Sequence, residues 1–177
     1  MKRILKRPLV AAGIVAFLGA ALLFLAGGLI LADLPDVASL RDYRPALTTS
    51  VWSRDGVLMA ELCEENRYLV DPAGLPDYVV RAFVAAEDSQ FYKHEGLDWM
   101  GILRAAFANV REGRIAQGGS TITQQVAKSL LLTPEKSFRR KFREAVLALR
   151  IEKHLTKNEI LYLYLNQIYL GEGAYGV

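Results

Sequence analysis

Three stretches hold side chains that could do chemistry together. They are Glu87-Asp88 with Phe91, His94 and Gly96; Gly118-Gly119-Ser120-Thr121 with Gln124-Gln125; and Arg139-Arg140-Lys141 with Arg143-Glu144. An acid pair can take a proton from a hydroxyl. A glycine-rich turn ahead of a helix can present backbone N–H groups and hydroxyls to an anion or a sugar, and the two glutamines add amide donors on the next turn. A basic helix with one carboxylate can neutralise charge that develops on a departing anion. The combination suits activation of a hydroxyl against a centre that bears an anionic leaving group.

Each stretch alone is weaker. An acid pair opening a turn is ordinary surface chemistry. Glu144 one turn after Arg140 has the spacing of an exposed ion pair worth about 0.3–0.5 kcal/mol, although the density of basic residues there exceeds what solubility needs and suits either lipid headgroups or a diphosphate. Residues 113–120 approach a phosphate-binding loop, but Gly119 stands where a lysine is required and no strand precedes it, which excludes nucleotide binding by that route. Cys63 is the only cysteine, so an internal disulfide and a Cys-rich metal site are excluded. With His94 and His154 the only histidines, a zinc site would be mostly carboxylate, and no metal ligand set is identifiable.

The elements that must position these groups are helical. Val79, Val80, Phe83, Val84 and Ala86 recur every three to four residues and bring Glu87 to a helix end, where a carboxylate half removed from water is suited to proton transfer. Leu97 to Glu112 repeats the pattern through Met100, Leu103, Ala106, Phe107 and Val110, with Asp98 at its start and Gly113 past its end. Thr133-Pro134 is expected to open a third helix with proline at the tolerated first position. Its stripe is Phe138, Phe142, Ala145, Val146 and Leu149, which leaves Glu144 off the apolar face. Thr156-Lys157-Asn158-Glu159 fits a capping box opening a Leu/Tyr-rich helix to about Tyr169. Upstream, Asp55-Gly56 between Val51–Arg54 and Val57–Ala60 predicts a small β-hairpin. The chain ends at Gly173–Val177, after a helix that is apolar on several faces, so the domain is expected to be incomplete at its C-terminus.

The 177 residues allow one compact domain plus an anchor. Leu9 to Ala32 is uncharged and longer than the ~20 residues that cross a bilayer as a helix. A cleaved signal peptide would have a shorter apolar region and a small residue where Ile30-Leu31-Ala32 is bulky. Lys2, Arg3, Lys6 and Arg7 place the N-terminus in the cytoplasm and the rest outside. The net charge of +3 comes from this tail; the remainder holds 18 basic against 19 acidic residues and does not point to nucleic acid. Locally, Lys128 to Lys153 holds eight bases against three acids and could face phosphate. The expected organisation is a cytoplasmic tail at 1–8, a transmembrane helix at 9–32, a proline-broken stalk at 33–50 and a mainly α domain at 51–177.

In this order and spacing the motifs, completed by Lys157, Ile160-Leu161 and Tyr164-Leu165-Asn166, resemble the peptidoglycan glycosyltransferases of family 51. These occur as the N-terminal domain of class A penicillin-binding proteins and as monofunctional enzymes. The resemblance spans about Val51 to Val177 and implies a lysozyme-like, mainly helical fold that polymerises lipid II on the outer side of the bacterial cytoplasmic membrane. By motif position Glu87 corresponds to the base that deprotonates the acceptor's sugar hydroxyl, and Glu144 to a second carboxylate on the donor side. Lys128, Arg140 and Lys141 correspond to the cationic group around the lipid pyrophosphate. Asp88, Phe91, His94, Ser120, Thr121, Gln124 and Gln125 match residues that shape the cleft and bind substrate. Inversion from an α-linked donor to a β-1,4 bond needs a base on one side and charge neutralisation on the other. The resemblance adds magnesium or manganese as a partner in that neutralisation and no organic cofactor.

The implied partners are lipid II, the growing glycan strand, membrane lipids and other wall-synthesis or division proteins, with no nucleic acid. No Ser-x-x-Lys or Lys-Thr-Gly occurs, so these residues encode no penicillin-sensitive transpeptidase. The family's domain continues past Val177 with a further motif and a second lobe, which keeps a non-catalytic, membrane-anchored scaffold in wall synthesis as an alternative. A lysozyme-type glycan-cleaving enzyme is the other, and the basic helix, unnecessary for that reaction, counts against it.

Overall fold

The computed structural model describes residues 17–19, 21, 25, 27–28, 30–45, 47–62, 67–135, 137–172 and 174–177. These fall into two units, Met1–Pro35 and Asp36–Val177. In the first, the described residues from 17 to 31 are helical. The expected cytoplasmic tail and most of the expected transmembrane helix lie outside the described residues. Among the described residues no helix is long and apolar enough to cross a membrane.

The second unit is mainly helical. Strands β1 (Thr49–Trp52) and β2 (Leu58–Leu62) form an antiparallel hairpin, with Thr49 opposite Leu62 and Val51 opposite Ala60. Its turn is where Asp55-Gly56 places it, and Gly56 takes φ 77°, open to glycine without strain. Helices α1 (Asp77–Glu87), α2 (Trp99–Glu112), α3 (Ile122–Leu131), α4 (Phe138–His154) and α5 (Lys157–Gln167) follow, and a short antiparallel pair, β3 (Tyr169–Gly171) and β4 (Ala174–Tyr175), closes the chain. Asp98 caps α2 through the Gly101 N–H at 2.8 Å, and Gly113, at φ 65°, ends it.

The core lies among α3, α4 and α5, which bury Ile122, Val126, Leu147, Ile151, Ile160 and Leu165. The capping box Thr156/Glu159 opens α5 as expected. That helix is apolar all round because it is the central one: α3 packs along it, and the chain around Val70 is clamped to it by Asn166, whose amide exchanges two 2.8 Å hydrogen bonds with the Val70 backbone.

Two expectations about α4 change. Helix α4 begins at Phe138, not at Thr133-Pro134, because Ser137 Oγ accepts the Arg140 N–H at 3.1 Å and supplies the cap. Its buried face is Glu144, Leu147, Ala148 and Ile151, whereas Phe138 is 97% exposed and Phe142 and Leu149 are exposed as well. Finally, the lead-in from Asp36 does not stand off the domain. Val37 and Leu40 are buried in a 3-10 turn against α4, and Arg41 donates to the His154 carbonyl at 2.8 Å.

Candidate active site

Glu87 is the last residue of α1, and Asp88, its C-cap, begins the loop that runs to Gly96. The buried Asp88 carboxylate accepts from His94 Nε2, at 2.9 Å to Oδ2, and from the Ile122 N–H at 3.0 Å. The Gly96 N–H donates to His94 Nδ1 at 3.2 Å, which leaves Nε2 as the ring nitrogen that faces Asp88. Gly96 itself has φ 97°, and a Cβ there would lie 2.8 Å from the backbone of Ala148, which makes glycine the residue that lets the acid loop close on α4. Phe91 is fully buried beneath the loop.

Thr121 and Gln124 are spent on structure. They form a capping box at the start of α3, and Thr121 Oγ1 also donates to the Gly96 carbonyl at 2.7 Å. The pattern Thr-x-x-Gln states this box in the sequence. So Asp88, Phe91, His94, Thr121 and Gln124 bond to or pack on one another and fix where the acid loop meets α3. Glu87, Ser120, Gln125 and Lys128 are presented outward around this frame. Glu87 Oε2 accepts from Gln125 Nε2 at 2.8 Å.

The basic helix supplies the opposite wall. Glu144 is only 2% exposed, yet it sits at the rim of the buried face of α4, where Arg140 pairs with one oxygen and Lys141 Nζ with the other at 2.9 Å. Lys141 Nζ also reaches Ser120 Oγ at 2.6 Å, which ties the glycine-rich turn to the basic helix. With Lys128, these residues place three cations against one carboxylate around a concavity of about 320 Å³. This concavity shares Ser120 with a polar cleft of about 410 Å³ that is lined by Glu87, Asp98, Arg104 and the glycine-rich turn. On its other flank it shares Gln125 and Lys128 with a third hollow of about 380 Å³. The catalytic and cationic candidates thus line one connected set of recesses.

The donor set does not fit a protein-held magnesium or manganese ion. Glu144 has both oxygens on cations, Asp88 is engaged by His94 and a backbone N–H, and among the described residues no three His, Cys, Asp or Glu side chains converge.

Two further side chains gain a place that the motifs do not state: Glu152, outside every motif, and Tyr164, named only as a motif position. Lys157 Nζ donates to the His94 carbonyl and to Glu152 Oε1, each at 2.7 Å, and Thr123 Oγ1 donates to the same Glu152 oxygen at 2.6 Å. Glu152 reads from sequence as one more surface acid, and only the i,i+5 placement across the α4–α5 turn reveals it. Tyr164 is the second. Its Oη is buried with no hydrogen-bond partner among the described residues, and burial first, then the charge of Glu87, push its pKa above the ordinary tyrosine value. The phenol stays protonated below Glu87.

The family model described as Transglycosylase matches residues 55–177. Penicillin-binding protein 1A of Escherichia coli K12 is 50% identical over 145 residues, 82% of this chain and 17% of that protein. The protein of the same name from Aquifex aeolicus is 48% identical over 145 residues, 82% of this chain and 20% of its own length. That of Vibrio cholerae is 44% identical over 175 residues, 99% of this chain and 21% of its own. The chain thus spans about one fifth of the length of these curated relatives. Because the matched segment takes in the acid loop, the capped glycine-rich turn and the basic helix together, the chain belongs to the transglycosylase family.

Proposed function

We propose that this chain is a peptidoglycan glycosyltransferase that extends a β-1,4-linked glycan strand from lipid II on the outer side of the cytoplasmic membrane. One observation carries the reading: Gln125 joins Glu87 directly to the recess that holds Lys128, Arg140, Lys141 and Glu144. A base and a cationic anion hole therefore share a wall, which is what displacement of a pyrophosphate by a sugar hydroxyl requires.

In this reading Glu87 accepts the proton of the acceptor's hydroxyl as its oxygen bonds to the donor's anomeric carbon. The bond from that carbon to the pyrophosphate oxygen breaks, and its electron pair leaves with undecaprenyl pyrophosphate. Arg140, Lys141 and Lys128 neutralise the departing charge. Glu144 holds Arg140 and Lys141 at the recess, so the neutralising groups are already oriented before the bond breaks. Attack opposite the leaving group inverts the anomeric centre. The buried residues Asp88, Phe91, His94, Thr121 and Gln124 act by fixing the loop that carries Glu87. Residues 9–32 serve as the membrane anchor that keeps the domain at the level of its lipid-linked substrates.

The test is incubation of the full chain in detergent micelles with labelled lipid II, followed by sizing of the product. Polymer from the parent and its absence with Glu87→Gln, at a cost of at least ~10²-fold for a lost general base, support the proposal. Glu95→Gln, on the same loop, is the control and should be mild. Turnover of Glu87→Gln within tenfold of the parent removes Glu87 as the base.

A further inference from the structure

A hollow of about 640 Å³, within the size range of ligand sites, shares no lining residue with the recesses around Glu87 and Lys128. It opens between the turn at Pro72–Gly74, the first turns of α1, the acid loop at Tyr92 and the start of α5. Half-buried Pro72 and Val80 and the buried Leu161 give it an apolar floor. Its rim is acidic: the exposed Asp71, Asp77 and Glu159 stand against one cation, Arg81, which is spent on Asp77 at 3.4 Å. Asp71 Oδ1 accepts the Ala73 N–H, and Glu159 Oε2 accepts from Thr156. Each of these two carboxylates is thus held by one oxygen, while the other carries no hydrogen bond among the described residues.

Acid above an apolar floor selects a side chain that is apolar along its stem and cationic at its head, as lysine and arginine are. The stem can lie on Val80 and Leu161 while the head reaches the carboxylates, and the rings of Tyr92 and Tyr162 attract the same cation. The room exceeds one such side chain, so apolar neighbours on the same segment enter with it. An anionic lipid pyrophosphate is repelled by this rim, which separates the hollow from the catalytic substrates.

The position in the fold gives occupancy a consequence. Tyr92 meets the buried Phe91 edge to face at 5.2 Å, beneath the loop that carries Asp88 and His94. Helix α1 walls the hollow at Asp77 and Val80 and ends at Glu87. Helix α5 walls it at Glu159 and, through Lys157, holds the His94 carbonyl. An occupant resting on Tyr92, α1 and α5 together restrains the elements that orient the acid loop.

We infer that this hollow docks a basic segment of a partner protein, with apolar residues on either side of its cation, and that occupancy raises turnover by steadying the acid loop. The coupling to turnover rests on the glycosyltransferase reading; the docking does not.

The probe is a panel of dye-labelled pentapeptide amides with arginine or lysine at the centre and leucine, phenylalanine or tyrosine on both sides. Each is paired with a counterpart that has citrulline or acetyl-lysine at the centre. They are titrated into the full chain in detergent micelles and followed by fluorescence anisotropy, with empty micelles as the blank. Charged members should bind about tenfold or more tighter than their neutral counterparts. Asp71→Asn with Glu159→Gln, which keep both caps, should abolish that preference and leave basal turnover unchanged, with a melting curve to confirm the fold. Bound peptide should raise turnover on lipid II about fivefold in the parent and not in the double variant. No preference for charge in any member, or a preference that survives the double variant, overturns the docking site. Binding without a rise in turnover overturns the coupling to the acid loop. Binding of a soluble stem pentapeptide at these carboxylates in place of the panel would make the occupant substrate, and a dimer that the double variant dissolves in sedimentation would make it a second copy; either result overturns the partner. A parent that binds the charged peptides but is inert on lipid II counts against the glycosyltransferase reading and leaves the docking site standing.

Discussion

Lys157 Nζ donates to the carbonyl oxygen of His94 at 2.7 Å, and the same ammonium lies 4.4 Å from the centre of the Phe91 ring. The first residue of α5 therefore holds the loop that begins at Asp88. His94 in turn bonds to Asp88, and Asp88 receives the Ile122 N–H, so one lysine far from the acids in sequence is linked through a chain of bonds to the C-cap of α1.

Replacing Lys157 with Met should show this coupling. It leaves the half-buried Glu152 with the Thr123 hydroxyl but no cation, at a stability cost of ~1–3 kcal/mol. If the lysine positions the acid loop, turnover on lipid II should fall at least ~10-fold with KM nearly unchanged, because misplacement of a base acts on the chemical step. Steady-state kinetics alongside a melting curve decide the matter. A lowered Tm with unaltered kcat would make Lys157 a structural residue only.

Much of this arrangement was legible in the sequence, and the parts that were not have physical reasons. The helix bringing Glu87 to its end, the α2 limits at Asp98 and Gly113, the hairpin turn at Gly56 and the Thr156/Glu159 box all rest on local signals, which local sequence states directly. The face of α4 is another matter. Phe138, Phe142 and Leu149 are larger and more apolar than Glu144 and Ala148, so an apolar-face reading picks the wrong side. What decides the face is non-local: Gly96 needs the small Ala148 beneath it, and Arg140 and Lys141 make a buried carboxylate tolerable. Likewise the burial of Thr121 and Gln124 follows from the approach of the acid loop to α3, which no spacing within either segment encodes.

The capping box of α5 makes a pH-dependent contribution. Glu159 Oε2 accepts from the Thr156 N–H at 2.6 Å and from its hydroxyl at 2.8 Å, and the backbone N–H first, then the hydroxyl, hold the carboxyl below the usual glutamate pKa. A depressed folded-state value stabilises the fold above the unfolded value, about 4.3, and that contribution is lost as pH falls through the folded value. Glu159→Gln should therefore lower stability at neutral pH by under ~1 kcal/mol, since the group is exposed to solvent. Denaturant titrations of the two proteins should converge below the usual glutamate range. A difference that stays constant from neutral to strongly acidic pH would refute the linkage.

Helix α2 buries Ala105 alone among its residues and turns Met100, Leu103, Phe107 and Val110 to the surface, with Phe107 73% exposed. These positions form one apolar stripe. Deleting Met1 to Ala32 should leave a protein that still sediments with lipid vesicles, because that stripe can enter the headgroup boundary. Leu103→Ser with Phe107→Ser in the deleted form should release it to the supernatant. Full solubility of the deleted form before any substitution would contradict this expectation.

The burial of Glu144 determines how the cationic recess must be tested. Replacing Arg140 and Lys141 with Gln would strand a carboxylate that is 2% exposed, and removing the partners of a buried charge costs about 3–5 kcal/mol. Lost turnover in that variant alone would not separate unfolding from lost neutralisation. Lys128 makes the separation, because among the described residues it has no ion-pair partner and lies exposed on the same recess. Lys128→Gln should change stability by less than ~0.5 kcal/mol, as surface substitutions do, while lowering turnover at saturating lipid II by about 10²-fold or more if it neutralises the leaving pyrophosphate. The triple variant Arg140→Gln, Lys141→Gln, Glu144→Gln removes the buried charge together with its partners, so it should recover most of the stability lost in the double variant and still fail to polymerise. Normal turnover in a folded triple variant, or in Lys128→Gln, would strip the basic helix of its role at the diphosphate. Recovered stability without recovered turnover would leave charge neutralisation as the function these three cations perform.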